Sequence, residues 1–333
     1  MKKLKIILNR IIFLIIMIFV VLFIIEENAN IREFLGINSE IEKSEENVLQ
    51  NKNIDQNENP KAEKIEIDTS IASKIDIDEN MLNIIFFDVG QADSTLVLCD
   101  GQTVLIDAGN IYDGKKIVDG IRDLGIEKID YLIGTHVHED HLGGMSYVID
   151  NFDIGSFYMP TCTENEFSFY SRLISSLSYK NIPINKTEIG EEFILGKGKL
   201  EVMGVNNNEP ENINESSIIL ELSYCSQKYL FMADAEIINE ESRIWNDVDV
   251  LKVGHHGSNS STSQEFLNQV LPEISIISVG KVNDYELPKK EVIDRLEEIE
   301  STIYRTDLDG TIQIISDGEK NDVVKIDVSF DGY

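Results

Sequence analysis

Tyr131-Leu132-Ile133-Gly134-Thr135-His136-Val137-His138-Glu139-Asp140-His141-Leu142-Gly143-Gly144 decides how this chain is read. An apolar run ends in a polar turn that carries three imidazoles and two adjacent carboxylates, Glu139 and Asp140. The chain holds only five histidines in 333 residues, and the other two stand together as His255-His256. Imidazole nitrogen and carboxylate oxygen are the usual ligands of zinc and similar divalent ions. His136 and His138 are two apart, so in extended chain both point to the same side. Asp140 and His141 follow a turn and can face a second position close by. Histidines of an ordinary surface loop would not gather in this way. The segment predicts a metal site at the end of a strand.

The flanking pattern supplies the strands and helices that hold such a site. Met81–Val89 and Ser94–Cys99 read as strands, and Asp100-Gly101 between Cys99 and Thr103–Ile106 is a two-residue hairpin signal. Ile117, Val118, Ile121 and Leu124 recur at helical spacing until Gly125 stops them. Met145, Val148, Ile149 and Phe152 form a second apolar stripe. Further on, Ile218–Tyr224 and Lys228–Met232 form a hairpin that delivers Asp234, and Val248–Val253 delivers His255 and His256. Thr262 with Glu265 fits a capping box, and Pro288 opens a last helix with Val292, Ile293 and Leu296 on one face. Polar ligands therefore stand at strand ends in an α+β chain. Two mixed sheets covered by helices satisfy the pattern, as do other α+β layouts.

Five ordered motifs narrow the choice. They are Asp88-Val89-Gly90-Gln91-Ala92-Asp93-Ser94, Leu105-Ile106-Asp107-Ala108-Gly109, the histidine loop, Met232-Ala233-Asp234, and Leu251-Lys252-Val253-Gly254-His255-His256-Gly257-Ser258. Over residues 81–316 the chain resembles the metallo-β-lactamase superfamily, and within it the extracytoplasmic hydrolase domain of ComEC competence proteins. It is also similar to phosphodiesterase domains that act on choline-bearing cell-wall polymers. The resemblance implies an αββα sandwich and one or two divalent ions, Zn2+ or Mn2+. It gives His136 and His138 to metal one and Asp140 and His141 to metal two. Asp234 bridges them, and one of His255 and His256 completes metal two, His255 by preference. Asp107 resembles the buried aspartate that orients the metal loop. Asp88 and Asp93 are expected around the same cleft, with a turn-capping role open for Asp93, and Asn214 and Ser216 stand where they can reach the site.

The chain departs from the family pattern twice. No histidine lies between residues 142 and 254, so metal one lacks the third imidazole that many two-metal members have. Leu287 occupies the place before Pro288 where ComEC-like domains tend to carry histidine. The implied chemistry is hydrolysis by metal-activated water, with Asp140 or Asp234 accepting the proton. Phosphodiester substrates, nucleic acid among them, come first. A hydrolase of another bond class and a non-catalytic binding module are the alternatives. No GxxxxGK[ST] string is present, so a nucleotide triphosphate site is not indicated.

The first quarter of the chain reads differently. Lys2, Lys3, Lys5 and Arg10 precede an apolar run from Ile11 to Ile25, and Glu26-Glu27 follow it. Residues 1–25 are expected to anchor the protein in the membrane as one transmembrane helix, with the remainder outside. A cleaved signal segment, giving a secreted protein, is the alternative. Residues 26–80 are polar and highly charged without sustained periodicity, which predicts a disordered stalk before a hydrolase domain at 81–333. Cys99, Cys162 and Cys225 show no disulfide framework. Net charge is −31, and residues 81–333 hold 19 basic against 45 acidic residues. With no basic run to displace counterions, tight sequence-independent DNA binding is disfavoured.

Overall fold

Near-continuous apolar runs in the central strands give each sheet two hydrophobic faces, and both are covered. The computed structural model describes residues 71–72, 74–161, 167–208 and 210–327. Strands β1 (Ile71–Ala72), β2 (Leu82–Phe86), β3 (Thr95–Cys99), β4 (Gln102–Ile106), β5 (Lys128–Ile133), β6 (Asp153–Met159) and β7 (Ile184–Lys186) belong to one sheet. The second contains β8 (Glu192–Leu195), β9 (Gly198–Gly204), β10 (Ile219–Tyr224), β11 (Gln227–Phe231), β12 (Val250–Lys252), β13 (Ile274–Ile277) and β14 (Thr302–Arg305). Strands β15 (Thr311–Ser316) and β16 (Asn321–Ile326) return to the first, whose order is β1-β16-β15-β2-β3-β4-β5-β6-β7. The second sheet runs β14-β13-β12-β11-β10-β9-β8.

Period-2 alternation explains the layering. Ile84, Phe86, Val97 and Val104 point inward to meet Leu220, Leu222, Tyr229 and Phe231 of the second sheet. Their neighbours Ile85, Leu96 and Leu105 point outward, beneath helices α1 (Gly114–Asp123), α2 (Glu139–Leu142), α3 (Met145–Asn151) and α4 (Ser168–Lys180). On the far side, Leu230, Leu251 and Ile277 lie under α6 (Gln264–Val270) and α7 (Lys290–Glu298), which follow the short α5 (Ile237–Glu240). A last turn, α8 (Thr306–Asp309), precedes β15. The result is the expected αββα sandwich, with three apolar clusters between four layers.

Local chemistry accounts for the joints. The β3–β4 hairpin turns at Asp100 and Gly101, both with positive φ (48° and 77°), as a twist-matched two-residue turn requires. The capping expectation was displaced by one residue. Thr262 has φ 55°, outside the extended region an N-cap needs, so Ser263 caps α6 and accepts from Phe266 N at 3.2 Å.

The expected stalk boundary also moves. β1 pairs parallel with β16. Ile75 and Ile77 pack against the helix-side cluster, and the Asp76 carbonyl accepts from Gln313 Nε2 at 2.7 Å. Two apolar side chains on one side of Ile75-Asp76-Ile77-Asp78 cover part of the helix-side cluster, so the body begins before residue 81. The membrane anchor read at 1–25 and most of the stalk lie outside the described residues. Among the described residues, no helix is long and apolar enough to cross a membrane.

Candidate metal centre

Strand direction brings the ligand-bearing loops together. β4 and β5 are parallel neighbours in the first sheet, and β11, β12 and β13 are parallel in the second. Their carboxyl ends therefore open on one edge, the usual place for a site in parallel sheets. Asp107 follows β4, His136 follows β5, Asp234 follows β11, and His255 and His256 follow β12. Asp107, Ala233, His255 and His256 all have left-handed φ (59°, 48°, 46° and 52°). Each costs roughly 1–3 kcal/mol in a non-glycine residue, a strain typical of functional loops. Close approach matters as well: a Cβ on Gly144 would lie 2.1 Å from the Ala108 carbonyl oxygen, so only glycine lets the metal loop pack here.

Asp234 is the hub. Its Oδ1 lies 3.3 Å from His141 Nε2 and 3.6 Å from His256 Nε2. Its Oδ2 lies 3.7 Å from both His136 Nε2 and His255 Nε2. His136 Nε2 and His138 Nδ1 are 3.0 Å apart, as their spacing predicted. Asp140 Oδ2 is 3.4 Å from His256 Nε2. Among the described residues three groups have ligand atoms within 4.8 Å of one another: Asp140/His141/Asp234/His256 and His136/His138/Asp234, which share Asp234, and Asp93/Asp107/His141 beneath them. At the second metal position the geometry groups His256, rather than the preferred His255, with Asp140, His141 and Asp234. His255 instead faces the Oδ2 side of Asp234.

The residues around this core hold it in place. Asp107 Oδ2 pairs with His141 Nδ1 at 2.8 Å, and its two oxygens accept from Thr135 N at 2.8 Å and Thr135 Oγ1 at 2.7 Å. This fixes the His141 ring with Nε2 toward Asp234, the orienting role the resemblance implied. His256 Nδ1 donates to the Ser278 carbonyl at 2.9 Å. His255 Nδ1 lies 3.1 Å from Ser260 Oγ and 3.3 Å from Glu236 Oε1. Asn214 reaches the site through Nδ2, 3.4 Å from His255 Nε2. Two expectations fail. Ser216 Oγ donates to the Ile213 carbonyl, closing its own turn. Asp88 Oδ1 accepts from Gly90 N and serves the turn before Asp93. Asp93 itself is buried beside His256 and pairs with Lys252, which the sequence reading passed over. A lysine inside the apolar run Val250-Leu251-Lys252-Val253 was the signal that went unused. Glu236 gave no signal of its own.

Electrostatics divides the two groups that share Asp234. Burial pushes His136 and His138 below the ordinary imidazole range, so both are neutral near pH 7. Burial acts on His141 and His256 too, but carboxylates outweigh it. Asp234, Asp107 and Asp140 hold His141 well above its usual range, and Asp234, Asp93 and Asp140 push His256 up to about 9. Burial would raise Asp140 and Asp234 in turn, yet His141 and His256 hold both carboxyls low.

Whether these residues fit an ion is decided by their unused atoms. His141 Nε2, His256 Nε2 and Asp234 Oδ1 are buried and make no hydrogen bond, although buried polar atoms are nearly always paired. All three point into the same group. A divalent cation satisfies them together, so the donor set fits. Above it opens a cleft of about 450 Å³, lined by His138, Asp140 and His255 with Tyr285, Leu287 and Lys289. A larger groove of about 750 Å³ lies at the opposite ends of these strands, beside Asp100 and Lys128. None of the candidate ligand groups falls there.

A sandwich with histidine and aspartate ligands at its strand ends matches one family. The chain belongs to the metallo-beta-lactamase superfamily, whose family model matches residues 87–281. It is 28% identical over 248 residues to ComE operon protein 3 of Bacillus subtilis (strain 168), covering 68% of this chain and 32% of that protein. It is 28% identical over 234 residues to Recombination protein 2 of Haemophilus influenzae, covering 68% of this chain and 28% of that one. Competence protein ComA of Neisseria gonorrhoeae is 27% identical over 245 residues, with 71% of this chain and 33% of that one covered. The likeness to competence proteins read from the ordered motifs is borne out. The chain spans about a third of the length of the curated relatives it matches.

Proposed function

We propose that the chain is a metal-dependent hydrolase of phosphodiester bonds, nucleic acid among its substrates, held outside the cell membrane by residues 1–25. One observation carries the catalytic part: three buried ligand atoms that make no hydrogen bond, His141 Nε2, His256 Nε2 and Asp234 Oδ1, converge on one point in a family of metal-dependent hydrolases. Mixed imidazole and carboxylate donors suit Zn2+ or Mn2+. A divalent ion there supplies Lewis acidity and a nucleophilic water near neutral pH.

The chain's own residues do the remaining work. Asp140, 30% exposed at the cleft floor and held ionised, is placed to accept a proton from an attacking water. Among the described residues Lys289 is the one lysine or arginine lining the cleft, and it would meet a phosphate oxygen. Tyr285 stands 69% exposed at the rim, a surface on which a base or other planar group can lie. Where relatives tend to carry an imidazole, Leu287 leaves the cleft wall apolar. His255, braced by Glu236 and Ser260, then faces the cleft beside His138. The strong negative charge of the domain makes binding depend on the centre itself rather than on a basic surface.

The test is a substrate panel run on the full chain with Zn2+ or Mn2+: single- and double-stranded DNA, a simple phosphodiester ester, a choline-bearing polymer and a lactam. Phosphodiester cleavage that chelator abolishes is expected, and Lys289→Ala should raise KM severalfold while metal content stays at the wild-type level. Cleavage of the lactam alone would favour the other bond class. No turnover with a metal-loaded centre would favour the binding module.

A further inference from the structure

A buried ion pair joins the two halves of the sandwich directly beneath the centre. Lys252 Nζ lies 2.9 Å from Asp93 Oδ2, with side-chain exposures of 3% and 6%, and the two residues are 159 positions apart. Lys252 ends β12 of the second sheet. Asp93 sits in the loop between β2 and β3 of the first. Asp93 also touches both ligand loops. Its backbone N donates to the Asp140 carbonyl at 3.0 Å, and its carbonyl accepts from Gly109 N at 2.9 Å, beside the loop of Asp107. Its second carboxylate oxygen, Oδ1, is buried without a hydrogen bond and lies 3.5 Å from His256 Nδ1.

We infer that the Asp93–Lys252 pair is a positioning device that sets the register between the two sheets at which Asp140 and His256 converge on one ion. The inference rests on the metal-centre reading above and extends it to residues that touch no metal. The physical argument is asymmetric. Taking two charges out of water is costly, and a buried pair is often no more stabilising than apolar residues of the same size. Its value lies in geometry. Lys252 has a single buried carboxylate to meet, so β12 and the turn that follows it, bearing His256, must stand at a fixed distance from Asp93. Asp93 in turn holds the backbone of Asp140. His256 Nδ1 is directed to the Ser278 carbonyl on one side and to Asp93 Oδ1 on the other, which leaves Nε2 facing Asp140 and Asp234. Residues that orient metal ligands without touching the ion typically change affinity by about 10- to 100-fold when removed.

The experiment is calorimetric titration of Zn2+ and Mn2+ alone into metal-free full chain, with thermal unfolding of the same samples. The variants are Lys252→Met and the double variant Asp93→Ala/Lys252→Met. The visible spectrum of Co2+-loaded protein reports coordination independently of activity. Lys252→Met should weaken the Asp140/His141/Asp234/His256 group by about 10- to 100-fold, leave the His136/His138 group near wild type, and lower the thermal midpoint. The double variant leaves no unpaired charge, so its midpoint should recover towards wild type while the weak metal group and its altered Co2+ spectrum persist. Recovery of both stability and affinity in the double variant would make the pair purely structural and overturn the inference. Wild-type affinity in Lys252→Met would overturn it too. A wild-type chain that binds no ion would remove the metal-centre reading along with it, a result distinguishable from the other two.

Discussion

Asp234→Asn is expected to abolish metal-dependent hydrolysis, with a loss of about a thousandfold or more in kcat. The size follows from what Lewis-acid stabilisation contributes, several kcal/mol, at about 1.4 kcal/mol per factor of ten. Among the described residues no other one serves both the Asp140 group and the His136 group. Oδ1 faces His141 and His256, and Oδ2 faces His136 and His255. Asparagine presents one oxygen and one NH2 group and no charge, so one side of the centre loses its anionic ligand whichever way the amide turns. The variant also removes the carboxylate that does most to keep His141 and His256 protonated in the metal-free chain. His138→Ala touches only the His136 group and should cost less, leaving the Asp140 side able to bind an ion. Steady-state rates on a simple phosphodiester ester, alongside metal content, check both. Activity of Asp234→Asn within tenfold of wild type would remove Asp234 from the hub.

Metal uptake should be strongly coupled to protons, and the sign follows from the imidazoles. A ligand nitrogen must be deprotonated before it can bind a metal ion. His136 and His138 are already neutral at pH 7, because burial lowers them. His141 and His256 are protonated, because the surrounding carboxylates raise them, His256 to about 9. Filling the Asp140/His141/Asp234/His256 group therefore expels protons, and its apparent affinity should climb by about tenfold per pH unit for each proton released. For the metal-free fold the dependence runs the other way. The folded pKa of His256 exceeds its unfolded value of 6.5, so its contribution to stability is fully present below about pH 6.5 and is lost as pH rises through about 9. Titration in buffers of different ionisation heat measures the released protons directly. An affinity that does not change between pH 6 and pH 8 would contradict this account.

What the sequence made legible was local. The histidine loop, the hairpin at Asp100-Gly101 and the helical stripes of α1, α3 and α7 each depend on spacing within a few residues, and each stands where spacing put it. The same is true of His136 with His138, whereas the place of Asp107 beneath the loop came from the family resemblance alone. What escaped was set by contacts between distant segments or by backbone angles that no periodicity reveals. His255 and His256 both sit at positive φ, so neither helix nor strand geometry says which imidazole faces Oδ1 of Asp234. The Lys252–Asp93 pair spans the two sheets, and lysine in a strand gives no indication of its partner. Ile75 and Ile77 looked like part of a charged linker because the surface they cover belongs to residues far along the chain. Ser216 stood near the site in sequence, yet its hydroxyl is spent on its own turn.

The central claim is that Asp234 and its neighbours form a resident metal centre. It is tested most directly by elemental analysis of the full chain, purified without chelator and equilibrated with Zn2+ and Mn2+. The two ligand groups that share Asp234 predict between one and two ions per wild-type chain, approaching two at saturation, and well under one in Asp234→Asn. A wild-type chain that retains no divalent ion, or an Asp234→Asn chain that retains as many as wild type, would contradict it.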